Sequence, residues 1–143
     1  ISLGLVGSEM CIRDRDSLTV LTDTVLPGET NAINNLFGGE LLARMDRAAA
    51  ISAKRHSKQF VVTSSVNNVS FGMPIPLGST VTIEAKVSRA FNSSMEVYID
   101  VWIDDKNGEK IKANEAIYTF VAVNKNGRPI KIDKIFPETK IEQ

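Results

Sequence analysis

The chain has room for one long helix and, beyond it, little except strands. From Gly38–Gly39 to about His56 there is no proline, and Leu, Ala, Met, Arg and Lys dominate. After that the apolar period changes to two. Phe60 to Phe71 is rich in Val, Ser, Thr and Asn. Val81, Ile83, Ala85 and Val87 alternate with Thr82, Glu84, Lys86 and Ser88. Met95, Val97, Ile99, Val101 and Ile103 alternate with polar or amphipathic residues, and Ile111 to Val123 makes a further strand. Gly72 to Gly78, Asn92 to Ser94, Asn107–Gly108 and Asn124 to Pro129 carry turn chemistry. A shorter apolar segment within Asp16 to Val25 reads as a first strand, before a turn-rich loop through Pro27 and Asn35. One helix has a single face to bury, and long antiparallel strands curling around it bury it. They also leave an edge that a second copy can pair with. The expected class is α+β, with one central helix wrapped by a curved antiparallel sheet of five or six strands.

Composition excludes several alternatives. The 143 residues make one domain, and 43% hydrophobic with 24% charged residues describes an ordinary globular chain. Lys plus Arg and Asp plus Glu are both 17, a balance that argues against nucleic acid or a membrane surface as partner. No apolar run approaches the roughly 20 residues of a transmembrane helix. One histidine and one cysteine leave few routes to a triad or a metal centre, so no metal is expected. The cysteine, Cys11, falls in an odd segment. Leu5 to Arg15, LVGSEMCIRDR, resembles the in-frame translation of a sequencing-library adapter, so residues 1–15 are read as non-native. The domain is then expected over 16–130, with a charged tail over 131–143.

A helical wheel at about 100° per residue puts Leu41, Leu42, Met45, Ala48, Ala49, Ser52 and Ala53 on one arc. Glu40, Arg44, Arg47, Lys54 and Arg55 fall on the opposite arc. Asp46 belongs to neither and projects at the apolar margin. A carboxylate there is partly desolvated, which suits a general base and equally suits a carboxylate paired with Arg47 or a backbone donor. Gly38–Gly39 would let a ligand approach the free N–H groups at the helix start, or simply turn the chain into the helix.

Asn31 to Gly39 (NAINNLFGG), followed by Leu41-Leu-Ala-Arg-Met-Asp46, resembles the acyl-CoA thioesterases of the hot-dog fold. Lys54-Arg-His56, Ser93-Ser-Met-Glu96, Glu115-Ala116, Phe120 to Val123 and Asn126 to Pro129 resemble the same family, over about Leu26 to Glu138. The resemblance implies a cytoplasmic enzyme, self-associated as a dimer or a trimer of dimers, with sites between subunits. It places the family's catalytic Asp on Asp46 and its cross-subunit Asn or Asp on Asn35. The preceding residue, commonly Gly in the family, is Asn34, which also tolerates left-handed backbone.

The reaction so implied is hydrolysis of acyl-CoA without a cofactor. Asp46 acts as general base on water or as nucleophile, Asn35 of the partner orients, and the Gly39 N–H receives the oxyanion. Gly38, Arg55, Arg89, Ser93, Ser94 and Lys112 are candidate substrate contacts, with Lys54 and Lys58 nearby, although such charges also serve as a solvated face. Leu42, Met45 and Phe71 are candidates for an apolar acyl slot. His56 fits a helix end, where a cation is favoured. The competing reading is a non-catalytic module binding acyl-CoA or acyl-carrier protein. A hot-dog dehydratase would need a histidine in the loop, and Asn31 to Phe37 has none.

Overall fold

The computed structural model describes residues 17–132, so the adapter-like segment, Cys11 and most of the tail lie outside the described residues. Strand β1 spans Thr19–Thr24, and a 3-10 turn covers Pro27–Glu29. Helix α1 spans Gly38–Ser57. Strands β2 (Phe60–Phe71), β3 (Thr80–Ala90), β4 (Ser94–Asp104) and β5 (Lys110–Val123) follow. They form one sheet of five strands in the order β1-β3-β4-β5-β2, with every pairing antiparallel. The helix touches all five strands.

Small residues let the sheet close on the helix. Ala48, Ala49, Ser52 and Ala53 are fully buried on α1, and the Ser52 hydroxyl donates to the Ala85 carbonyl of β3 at 2.9 Å. From the sheet, Ile99, Val97, Tyr118 and Phe120 fill the space on this side, in the alternation of a strand with one covered face. The helix begins after Phe37 without a side-chain cap and ends at Lys58, which takes left-handed backbone at φ 58°. Lys54, Arg55 and His56 occupy its last turn, where the dipole favours cations.

Arg44 departs from the wheel. It was expected on the solvent arc, yet it is only 6% exposed. Its guanidinium binds Glu29 Oε1 at 2.7 Å and the Thr24 carbonyl at 3.3 Å, because the loop after β1 folds back over that side of the helix. The Leu26 N–H, and then Arg44, hold the Glu29 carboxyl below its ordinary range. The start of the expected tail is docked: Ile130 N–H donates to Ala122 and Ile132 N–H to Asn92, and both side chains pack on the core.

Strand β2 is an edge. Its outer side has no neighbour among the described residues, and Phe60, Val62, Val66 and Phe71 are exposed, Phe60 at 62%. Two irregularities interrupt its pairing with β5, between Thr63 and Ser65 and between Asn67 and Ser70. Bulges of this kind re-aim side chains.

Candidate active site

Asp46 sits half-buried on the flank of α1 that faces β2. Thr63, just before the first β2 bulge, donates its hydroxyl to Asp46 Oδ1 at 2.7 Å. One carboxylate oxygen is thereby held and the other is left for a second partner. Beneath lies Tyr118, fully buried, whose hydroxyl donates to the Leu42 carbonyl at 2.9 Å. Burial, and then the charge of Asp46, push the Tyr118 phenol up to about 12. The phenol therefore stays a neutral donor that ties the helix to β5 next to the carboxylate.

The helix start presents a second constellation. Glu40 and Leu41 N–H both donate to the Phe37 carbonyl, while the exposed Gly38 and Gly39 precede them with N–H groups that find no carbonyl in the helix. A Cβ at Gly38 would meet the Phe71 ring at 3.4 Å; one at Gly39 would meet nothing within 4 Å. Packing within the protomer therefore does not require glycine at 39. The loop before the helix is built on Asn31, whose Oδ1 accepts the N–H groups of Ile33 and Asn35, both at 3.0 Å. Asn34 adopts φ 59°, the left-handed geometry expected of it. Leu36 N–H donates to Ile75 and Leu77 N–H to Asn34, which fixes the loop against the segment after β2. Asn31, Asn35, Gly38, Phe71 and Asn114 line a cavity of about 350 Å³ there.

Asp46 does not belong to this cavity. It stands seven residues beyond Gly39, and at 1.5 Å rise per residue that is roughly 10 Å along the helix. A base and an oxyanion donor serving one carbonyl must both lie near 3 Å from the reacting atoms. Within one protomer Asp46 and Gly39 are too far apart for that.

The other expected contacts divide between the two ends of the sheet. Ser93 and Ser94 lie at the β3–β4 turn, where the Ser93 carbonyl accepts Ala122 N–H and the Arg89 guanidinium stands 5.3 Å from the centre of the Phe91 ring. Lys54 and Lys58 at the helix end share this end of the molecule with Phe60, which pairs with Val123. Arg55 is spent on the fold: it donates to the Leu18 carbonyl and to Thr19 Oγ1, latching β1 to the helix. Lys112 is far from the serines. It pairs near Trp102, about 26 Å along β4 at ~3.3 Å per residue. A bulge at Ala113 turns Lys112 to the same face as Glu115, and its ammonium binds Glu115 at 2.6 Å and Asp100 at 2.8 Å. Partial burial works to lower this ammonium, but the bonds to Asp100, Glu115 and Tyr98 outweigh it and hold Lys112 well above its ordinary value. Leu42 and Met45 are helix packing, half-buried and fully buried; Phe71 alone of the expected acyl contacts lines the cavity. Among the described residues no cluster of three or more His, Cys, Asp or Glu could hold a metal, and no helix is long and apolar enough to cross a membrane.

Three residues of interest escape a reading of the sequence: Asn31, Thr63 and Asn114. Thr63 shares the helix-facing side of β2 with Val61, and nothing in the local sequence marks it. Asn114 left a signal, a polar side chain in the inward row Asn114, Ala116, Tyr118, Phe120.

A single helix cradled by this sheet, with a carboxylate on its flank and a glycine pair at its head, is the hot-dog arrangement of a thioesterase. Residues 33–110 match the model of the Thioesterase superfamily. The chain is 39% identical over 129 residues to YkhA of Bacillus subtilis, an uncharacterized acyl-CoA thioester hydrolase, covering 90% of this chain and 75% of that protein. An acyl-CoA hydrolase of Staphylococcus aureus, solved with butyryl coenzyme A and coenzyme A, superposes with a TM-score of 0.83 at 37% identity, over 87% of this chain and 77% of the other. A hexameric hotdog fold thioesterase of Campylobacter jejuni superposes at 0.72 with 32% identity, over 79% and 88%. The chain belongs to the thioesterase superfamily.

Proposed function

We propose that this chain is a cytoplasmic acyl-CoA thioester hydrolase, needing no cofactor, whose site is completed by a second copy of itself. The single observation that carries the reading is the carboxylate of Asp46, held through one oxygen by Thr63 and placed roughly 10 Å from the oxyanion donors of its own helix. A two-fold axis through the exposed edge of β2 solves the distance. Antiparallel pairing of β2 with its copy brings the Phe71 end of one protomer beside the Phe60 end of the other. The helix start, Gly39 N–H and loop asparagines of the partner then face Asp46. The hexameric state of the Campylobacter jejuni protein is compatible with a trimer of such dimers here.

In this arrangement Asp46 draws a proton from water, and the water oxygen attacks the thioester carbonyl. The Gly39 N–H of the partner receives the negative charge that develops on the carbonyl oxygen. The thiolate of CoA leaves and takes up a proton. Asn35 of the partner orients the water, as the family resemblance implies, and Asn31 joins it. Because Asn31 Oδ1 is committed to two backbone N–H groups, its amide N–H is the group left to a ligand. The Staphylococcus aureus enzyme has been solved with alanine at an asparagine, an aspartate and a threonine, spaced fifteen and seventeen residues apart. Asn31, Asp46 and Thr63 stand at the same intervals. Arg89, Ser93, Ser94, Lys54 and Lys58 share one end of the molecule, which supports assigning them to the CoA end of the substrate.

The test is thiol release from acyl-CoA esters of rising length, by wild type and Asp46→Asn. Turnover by wild type and its loss in the variant, with binding kept, is the expected result. Unchanged turnover in Asp46→Asn would remove Asp46 as the base. Binding without turnover in wild type would select the non-catalytic module.

A further inference from the structure

The turn of α1 that carries Asp46 is gripped at two points by one pair of strands. Thr63 of β2 donates to the carboxylate, and Tyr118 of β5 donates to the Leu42 carbonyl at 2.9 Å. In an α-helix a carbonyl accepts the N–H of the residue four places on, and four on from Leu42 is Asp46. The Tyr118 hydroxyl and the Asp46 N–H therefore meet on the same oxygen, which has a lone pair for each. On the sheet, Thr63 pairs with Phe120, two residues from Tyr118 in the covered row of β5. Both hydroxyls thus rise from neighbouring strands toward one helical turn.

We infer that Tyr118 is a positioning residue for the reaction: its hydroxyl fixes the peptide group from which Asp46 hangs, and so sets where the carboxylate stands. The inference rests on the thioesterase reading, with Asp46 as the base. The fold asks for a ring at 118 and not for the hydroxyl. Phe120 stands beside Tyr118, with ring centres 6.3 Å apart, and is equally buried without a polar atom. The Leu42 carbonyl keeps its helical N–H with or without the phenol, so the phenol rescues no unpaired group of the helix. What it adds is a second, directional constraint on the turn. Thr63 holds one carboxylate oxygen, but the Asp46 side chain can turn to follow Thr63 from more than one backbone position. Fixing the peptide beneath removes that freedom. A displacement of about 1 Å in a reacting group can cost up to about a hundredfold in rate. The donor is always present, because burial and then the charge of Asp46 push the phenol up to about 12.

The experiment measures kcat, KM and melting temperature for Tyr118→Phe, alone and combined with Thr63→Val, on the full chain with one acyl-CoA ester. Phe removes one oxygen and strands no buried group. Tyr118→Phe is expected to lower kcat about threefold to tenfold, a neutral hydrogen bond's worth, with KM little changed. Thr63→Val is expected to cost less in the Tyr118→Phe background than in wild type, because a turn already loose gains less from the threonine bond. A hydroxyl that serves only the fold lowers the melting temperature, leaves kcat within about twofold and leaves the Thr63→Val factor unchanged; that result overturns the inference. Losses in kcat that simply multiply overturn it as well, since the two contacts would then not act on one turn. A Tyr118→Phe chain that does not fold also overturns it, by placing the work of the hydroxyl in the fold. Absence of thiol release by wild type would instead overturn the thioesterase reading, whereas an active wild type with kcat unchanged in Tyr118→Phe overturns this inference alone.

Discussion

The distance along α1 makes a prediction about stoichiometry. Asp46 and Gly39 of one chain are roughly 10 Å apart along the helix, so under the proposed mechanism each site takes its base from one protomer and its loop and helix start from the other. The perturbation is a pair of variants, Asp46→Asn and the double variant Asn31→Ala/Asn35→Ala. Each alone forms homodimers in which every site lacks one half of the machinery. When the two are co-expressed and reassort at random, half of the dimers are mixed. In a mixed dimer, Asp46 of the asparagine-deficient chain faces the intact loop of the other chain, and that one site is whole. Its sister site has lost both halves. The mixture should therefore recover about a quarter of wild-type thioester hydrolysis per chain, by the symmetry of a two-fold interface. The assay is thiol release from a single acyl-CoA at saturation, on a sample whose mixed species is purified through two different tags; the isolated mixed dimer should give about half. A site contained within one chain gives no recovery at all, since each chain would still carry its own lesion. Recovery no greater than the sum of the two parents would refute the shared site.

Other outcomes follow from particular contacts. Thr63→Val removes the hydroxyl that holds Asp46 Oδ1; kcat should fall by about ten- to a hundredfold, a charge-assisted bond's worth, with KM little changed, and Thr63→Ser should restore most of it. Val62→Lys puts a charge on the exposed β2 edge; light scattering should show a shift toward monomer, and activity should fall in proportion. Glu29 is held below its ordinary value of 4.5 by the Leu26 N–H and by Arg44. A depressed carboxylate contributes its stability above that value and loses it as pH falls through the folded-state pKa. Thermal melts of wild type should therefore drop more steeply below about pH 4.5 than those of Glu29→Gln, and parallel curves would exclude the linkage.

Much of the molecule was legible because its periods are clean. Alternation through Val81–Ile103 fixes which strand face is buried, and the small residues at 48, 49, 52 and 53 announce where the sheet approaches the helix. Asn34 is legible through the resemblance, since the family commonly has Gly there and asparagine also tolerates left-handed backbone, here φ 59°. The helix wheel misplaced Arg44, since a wheel knows only the helix and not the loop that folds over it. Charge alone makes Arg55 and Lys112 candidate substrate cations. Their partners, the Leu18 carbonyl and the Asp100–Glu115 pair, lie on elements distant in sequence or are brought round by a bulge.

The sequence by itself determined one helix, its apolar face, the long strands around it and a carboxylate at the helix margin, because each follows from local period and side-chain chemistry. Only the tertiary structure decided that β2 is an outer strand, that Thr63 reaches Asp46, and that Asn114 is left with a buried, unpaired donor. Those depend on strand order and on single-residue slips in register. A slip of one residue turns a side chain to the opposite face of a sheet, and no local pattern records which strand will stand beside it.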